Sequence, residues 1–138
     1  IDKKFLENSV AEVKDLVNEA YQENKIMHII IGTFLIKEKY YQTFEENLNG
    51  DHLSLEICFL MIPNKFISRV ESVVEKYQIK ISGCLNKNYI TNFFKKDNLE
   101  LSEKAYKIQQ GCNANEVHIV PKNCEKIGFF EKFFQLFS

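Results

Sequence analysis

The chain has 138 residues, one domain's worth, and its 45% hydrophobic and 27% charged residues are ordinary for a globular fold and exclude a disordered chain. Its 18 basic and 19 acidic residues leave a net charge of −1, which argues against a basic nucleic-acid surface. No apolar run approaches the ~20 residues that span a bilayer, and the five glycines are too scattered to form a phosphate-cradling loop.

The chain begins Ile1-Asp2-Lys3, straight into a helical pattern, with no signal-peptide signature in its opening residues. A start at Ile implies either a trimmed terminus or a piece of a longer chain. Leu6, Val10, Val13, Val17 and Ala20 step by four, three, four and three, with Leu16 beside them. That period predicts an amphipathic helix over 3–22. Residues 26–36 (IMHIIIGTFLI) are β-branched and apolar and predict a buried strand that bends or breaks at Gly32. His28 lies inside it and reads as a hydrogen-bonded core histidine rather than a ligand or base.

A polar stretch over 38–51 ends in the turn signal Asn49-Gly50-Asp51. Leu53, Leu55, Ile57, Phe59 and Met61 then alternate and share one face of a second strand, with Ser54 and Glu56 on the other. Pro63 stops it, and Asn64 is placed to cap a second helix over 64–77 carrying Phe66, Ile67, Val70, Val73, Val74 and Tyr77. A third strand is expected over 79–84, where Ile79, Ile81 and Gly83 alternate with Lys80, Ser82 and Cys84. The sum is an α+β fold, a small sheet of three or more strands with two amphipathic helices on one face. A short helix is expected over 87–94, a helix from Leu101 ending near Gly111, and a short strand over 117–120 stopped by Pro121.

The four cysteines, 58, 84, 112 and 124, lack metal-site spacing and suit a reduced intracellular chain. Cys58 reads as a small core hydrophobe, so a Cys58–His28 nucleophile pair is the lesser reading. Glu71 and Glu75 read as solvated helix surface. No catalytic, cofactor or metal site is expected.

The last residues concentrate aromatic side chains. Five of the twelve phenylalanines fall in 127–138. As a helix, Ile127, Phe129, Phe130, Phe133, Phe134, Leu136 and Phe137 fill one half of the wheel and Glu131, Lys132 and Gln135 lie on the other. Eleven helical residues are about 16 Å long, too short to span a membrane. The apolar half has to be satisfied by the protein's own core, a partner or lipid. Residues 121–138 hold three Lys against two Glu, so aromatic burial has to dominate any lipid contact.

Taken in order, these segments resemble the FtsA family of actin-like bacterial cell-division proteins. Ile1-Asp2-Lys3-Lys4-Phe5-Leu6 is similar to the opening of that family's inserted subdomain. Ile26-Met27-His28-Ile29-Ile30 is similar to its histidine-bearing strand, although Ile31-Gly32 stand where the family carries Pro. Residues 55–64 (LEICFLMIPN) resemble its strand and Pro turn, and Ile67 through Leu85 its helix-turn-strand. The tail from Gly128 is similar to its membrane-targeting helix. The resemblance covers roughly the first 94 residues and the last 12. The family's phosphate loops have no counterpart, the Asp-Pro-x-Gly-Met signature is reduced to Asn49-Gly50-Asp51, and ATP binding is not implied.

The resemblance divides the chain into an interaction module at 1–94, a connector at 95–125 and an amphipathic tail at 126–138. It implies a non-enzymatic cell-division adaptor, cytoplasmic and peripheral at the inner face of the cell membrane, whose partners are division proteins or copies of itself, with no nucleic acid or nucleotide. Membrane contact falls to Ile127, Phe129, Phe130, Lys132, Phe133, Phe134, Leu136 and Phe137. The alternative is a soluble α+β binding module whose C-terminal helix packs on its own core.

Overall fold

The computed structural model describes residues 3–43 and 50–117. Helix α1 (Lys3–Ala20) leads into the long strand β1 (Asn24–Ile36), followed by β2 (Lys39–Tyr41), β3 (Leu53–Pro63), α2 (Asn64–Glu75), α3 (Lys87–Phe93) and α4 (Leu101–Gln109). The strands form one antiparallel sheet in the order β2-β1-β3, so the expected α+β fold is present.

The helical period of α1 dictates its packing. Leu6 and Val10 are buried against the sheet, and Val17 packs at the edge of the same cluster. Strand β1 continues through Gly32, and its pairing with β3 slips between Ile26 and His28 and again between Ile31 and Thr33. The extra residues are Met27 and Gly32, each a β-bulge that reverses the side-chain alternation. This is why Ile26, Ile29, Ile31, Phe34 and Ile36 are all buried, although their spacing is not strictly two. The first four join Leu6, Val10 and Val117 in one core cluster. Leu53, Leu55, Ile57, Phe59 and Met61 of β3 pack against it, on the face their alternation predicts. By the same alternation His28, Ile30, Thr33 and Leu35 point to the reverse face.

The third strand differs from the expectation. Residues 79–84 form no strand; the third strand is β2, paired with β1 from Phe34↔Tyr41 to Ile36↔Lys39. The connection is the two-residue turn Lys37-Glu38, with φ of 49° and 62°. Positive φ at both central residues is the type I′ pattern, which fits the strand twist but strains residues bearing a Cβ. The double substitution Lys37→Asn/Glu38→Gly should therefore stabilise the protein by about 1 kcal/mol, read as a higher urea midpoint.

After α2 the chain turns at Gln78, φ 59°. The Gln78 N–H donates to the Glu75 carbonyl and the Ile79 N–H to the Val74 carbonyl, a helix-terminating pattern that points the following residues away from β3. The period-two run 79–84 pairs with no strand among the described residues, although the outer edge of β3 is open. Asn64 also departs from its expected role. Pro63 occupies the cap position without a side-chain bond. Strand β3 runs into α2 without a loop, and Asn64 donates from Nδ2 to the Gln22 carbonyl (3.1 Å) and from its backbone N–H to the Glu23 carbonyl (2.9 Å). It thus pins α2 to the turn after α1.

Helices α3 and α4 build a second small cluster from Ile90, Phe94 and Ile108, flanked by Leu85, Tyr89 and Ala105. Asn86 caps α3, its Oδ1 accepting the Tyr89 N–H at 2.9 Å. Helix α4 closes at Gly111 (φ 81°), where the Cys112 N–H donates to the Lys107 carbonyl and the Gly111 N–H to Ile108. This left-handed position is the one glycine adopts without strain, and the helix ends where the sequence indicates. The chain then returns to β1. The Ile31 N–H donates to the Asn115 carbonyl, the Val117 N–H donates to the Ile29 carbonyl, and Glu116 bridges to Ile30. Residues 118–120 of the expected strand and the whole aromatic tail lie outside the described residues.

Candidate functional site

The polar constellation of the molecule gathers where β1, α3 and the returning segment 113–117 meet. His28 is fully buried and Glu116 nearly so. His28 Nδ1 lies 2.6 Å from Glu116 Oε1. Its Nε2 accepts the backbone N–H of Asn86 at 2.9 Å. Tyr89 donates its hydroxyl to Glu116 Oε2 at 2.6 Å, and Asn113 Nδ2 donates to the Tyr89 oxygen at 2.9 Å. The His28 and Tyr89 rings also pack together, centroids 4.6 Å apart.

Two backbone amides fix the direction of every bond in this chain. The Asn86 N–H can only donate, so His28 Nε2 carries the lone pair and its proton sits on Nδ1. At the other end the Asn115 N–H donates to Asn113 Oδ1 at 3.0 Å, which leaves Asn113 Nδ2 as the donor to Tyr89. Both oxygens of Glu116 therefore accept, and the group is a carboxylate held by two short charge-assisted bonds. Burial first, and the Glu116 charge second, push the Tyr89 phenol well above the ordinary tyrosine range.

A histidine paired with a carboxylate is the geometry of a general base, but here the second ring nitrogen faces a main-chain donor. No lone pair of His28 is left for a substrate proton. The network consumes its own chemistry in joining three segments. The sequence reading of His28 as a hydrogen-bonded core residue holds. Its partners Glu116, Tyr89, Asn113 and Asn86 were not singled out. A lone acid ahead of an apolar run and a tyrosine in a short helix carry no local signal of pairing across 88 residues.

Cys58 is a correction. It is exposed rather than part of the core, standing opposite Ile30 on the reverse face of the sheet with Ser54 and Glu56. The alternation of β3 assigns it to that face once the five apolar residues are placed inside. It has no free nitrogen of His28 to pair with, so the nucleophile arrangement does not form. Glu71 and Glu75 are exposed on α2, as expected. Among the described residues no group of three or more acidic, histidine or cysteine side chains is placed to hold a metal ion, and no helix is long and apolar enough to cross a membrane. The proposed membrane-binding residues Ile127, Phe129, Phe130, Lys132, Phe133, Phe134, Leu136 and Phe137 lie outside the described residues.

No family model, curated protein or solved structure matches the chain.

Proposed function

We propose that this chain is a non-enzymatic protein-interaction module. The observation that carries the reading is the outer edge of β3. This strand is eleven residues long and ends the sheet, and among the described residues no strand pairs with its far side. A long unpaired edge is a template for strand addition, with main-chain bonds supplying affinity. Ile29 and Ile31 turn their main-chain groups to residues 115–117, so Ile30 faces Cys58. By alternation the N–H groups of Ile57 and Phe59 point outward. The closed His28–Glu116 network supports the non-enzymatic half of the reading.

In the finer form of the proposal the module is a cell-division adaptor that contacts neighbouring copies of itself, held at the inner face of the cell membrane by residues 127–138. This rests on the resemblance to the actin-like division proteins and on the aromatic half-wheel of the tail. Sedimentation velocity tests the edge: the chain should self-associate with rising concentration, and Ile57→Pro, which removes an outward donor, should remain monomeric. Equal sedimentation of the two proteins would remove the edge as the contact. Liposome flotation tests the tail. On neutral phosphatidylcholine vesicles Phe133→Glu should abolish flotation while leaving the thermal midpoint nearly unchanged. A large fall in the midpoint would instead place Phe133 in the protein's own core, because a buried unpaired charge is costly.

A further inference from the structure

Helix α2 carries two apolar rows where one suffices to hold it. At ~100° per residue, Ile67 and Val74 share the row that packs inward, Ile67 being buried. Phe66, Val70 and Val73 step by four and three along a second row, roughly 80° round the helix. Phe66 and Val73 are 57% and 56% exposed, and Tyr77, in the turn beyond the helix end, is 73% exposed. Single exposed apolar residues are ordinary, but an aligned row on one helix is a contact surface.

The charges beside the row are sorted. Lys65, Arg69 and Lys76 fall along one flank, on the side pointing away from the sheet, and all three are exposed. Among the described residues none of them is paired with a carboxylate. Glu71 and Glu75 lie on the far side of the helix. The surface is thus an apolar row with a basic border, the pattern that suits an anionic apolar interface: rings and branched side chains enter the hydrocarbon boundary while cationic heads reach the headgroups.

Two other occupants fit less well. Take a second copy packing α2 against α2 antiparallel, about a two-fold axis perpendicular to the helices. That operation keeps each flank on its own side, so Lys65, Arg69 and Lys76 would line up beside the same cations of the partner. A peptide helix wants a groove with two walls. The cleft beside α2 is lined by Glu71, Glu75, Gln78, Ile79, Lys80 and Ile81 and opens on the acidic side, away from the row.

We propose that this face of α2 docks on an anionic lipid surface. The contact is formed by the described fold and does not depend on residues 127–138. Flotation of the full-length chain with phosphatidylcholine vesicles, with and without phosphatidylserine, tests it. Six proteins are compared: the unaltered chain, K65E/R69E/K76E, Phe133→Glu, the combination of those two, K65R/K76R and F66S/V73S. Three cations at a charged surface contribute roughly fivefold each, and the three Glu add repulsion to that loss, so the α2 variant should bind phosphatidylserine vesicles at least about a hundredfold more weakly. K65R/K76R should bind as the unaltered chain does. All the α2 changes are on exposed side chains, and an unchanged thermal midpoint confirms that the fold is retained. If K65E/R69E/K76E floats like the unaltered chain, the inference is overturned, whatever Phe133→Glu does. If Phe133→Glu still floats on phosphatidylserine vesicles and only the α2 variant fails, the inference stands and the tail anchor falls. Loss of self-association in F66S/V73S, with flotation unaffected, would make the row a seat for a second copy and overturn it too.

Discussion

Replacing Glu116 by Ala is expected to cost roughly 2–5 kcal/mol, because it leaves two hydrogen-bond donors without an acceptor at about 1–3 kcal/mol each. The loss strips two donors of their acceptor at once, His28 Nδ1–H on a fully buried ring and the Tyr89 hydroxyl on a partly buried one. For a chain of this length that amounts to a thermal midpoint lower by roughly 10 °C or more. Glu116→Gln keeps an oxygen for His28 but turns an amide NH2, a donor in place of an acceptor, toward the Tyr89 hydroxyl, so its cost should be smaller, about 1–3 kcal/mol. An Ala variant as stable as the parent would mean that the network does not hold α3 and residues 113–117 to the sheet. The same site sets an alkaline limit. The Tyr89 phenol is raised in the folded state by burial and by the Glu116 charge. Above the ordinary tyrosine value near 10 the unfolded chain releases a proton that the folded chain keeps. Fewer protons are then bound unfolded than folded, so stability is full below that pH and declines as pH rises beyond it. Tyr89→Phe should flatten that decline, measured by urea unfolding across the alkaline range, while starting from lower stability near neutral pH because Glu116 loses a donor.

What the residues disclosed in advance divides by the range of the interaction. The face of α1 and the alternation of β3 are local periodicities: Leu6, Val10 and Val17 of the first and all five apolar residues of the second pack on the core, while Leu16 and Ala20 of the predicted face are exposed. Gly111 terminates α4 for a local reason, its left-handed backbone. The turn between β1 and β2 escaped because Lys37 and Glu38 adopt a conformation that Asn and Gly favour, so the usual signal is missing. Residues 79–84 show the converse: a strand's alternation that joins no sheet. Strands are completed by partners, and the pattern of one segment does not state whether a partner is in reach. The polar network is the extreme case. His28 was legible as a core histidine because it interrupts an apolar run, but Glu116 and Tyr89 become its company only after the chain has wrapped two helices and returned along β1.

The second large effect separates the core from the α2 surface. Phe34 is fully buried in the main cluster, at the point of β1 after the second bulge where the strand pairs with both β2 and β3. Phe34→Ala is expected to cost about 3–5 kcal/mol, combining the lost transfer energy of the ring with the cavity left behind. Phe66 has the same side chain but lies 57% exposed on α2. Phe66→Ala should change stability by no more than about 0.5 kcal/mol, the range of surface substitutions away from structural features. Denaturant unfolding of the two variants side by side measures the contrast directly. If Phe66→Ala cost several kcal/mol, the outer row of α2 would belong to the folded core and could not be a contact surface. A small cost leaves that row without a structural duty inside the monomer. Whether Phe66 and the cations beside it, unpaired among the described residues, serve the proposed lipid contact is what the vesicle measurements read separately from stability.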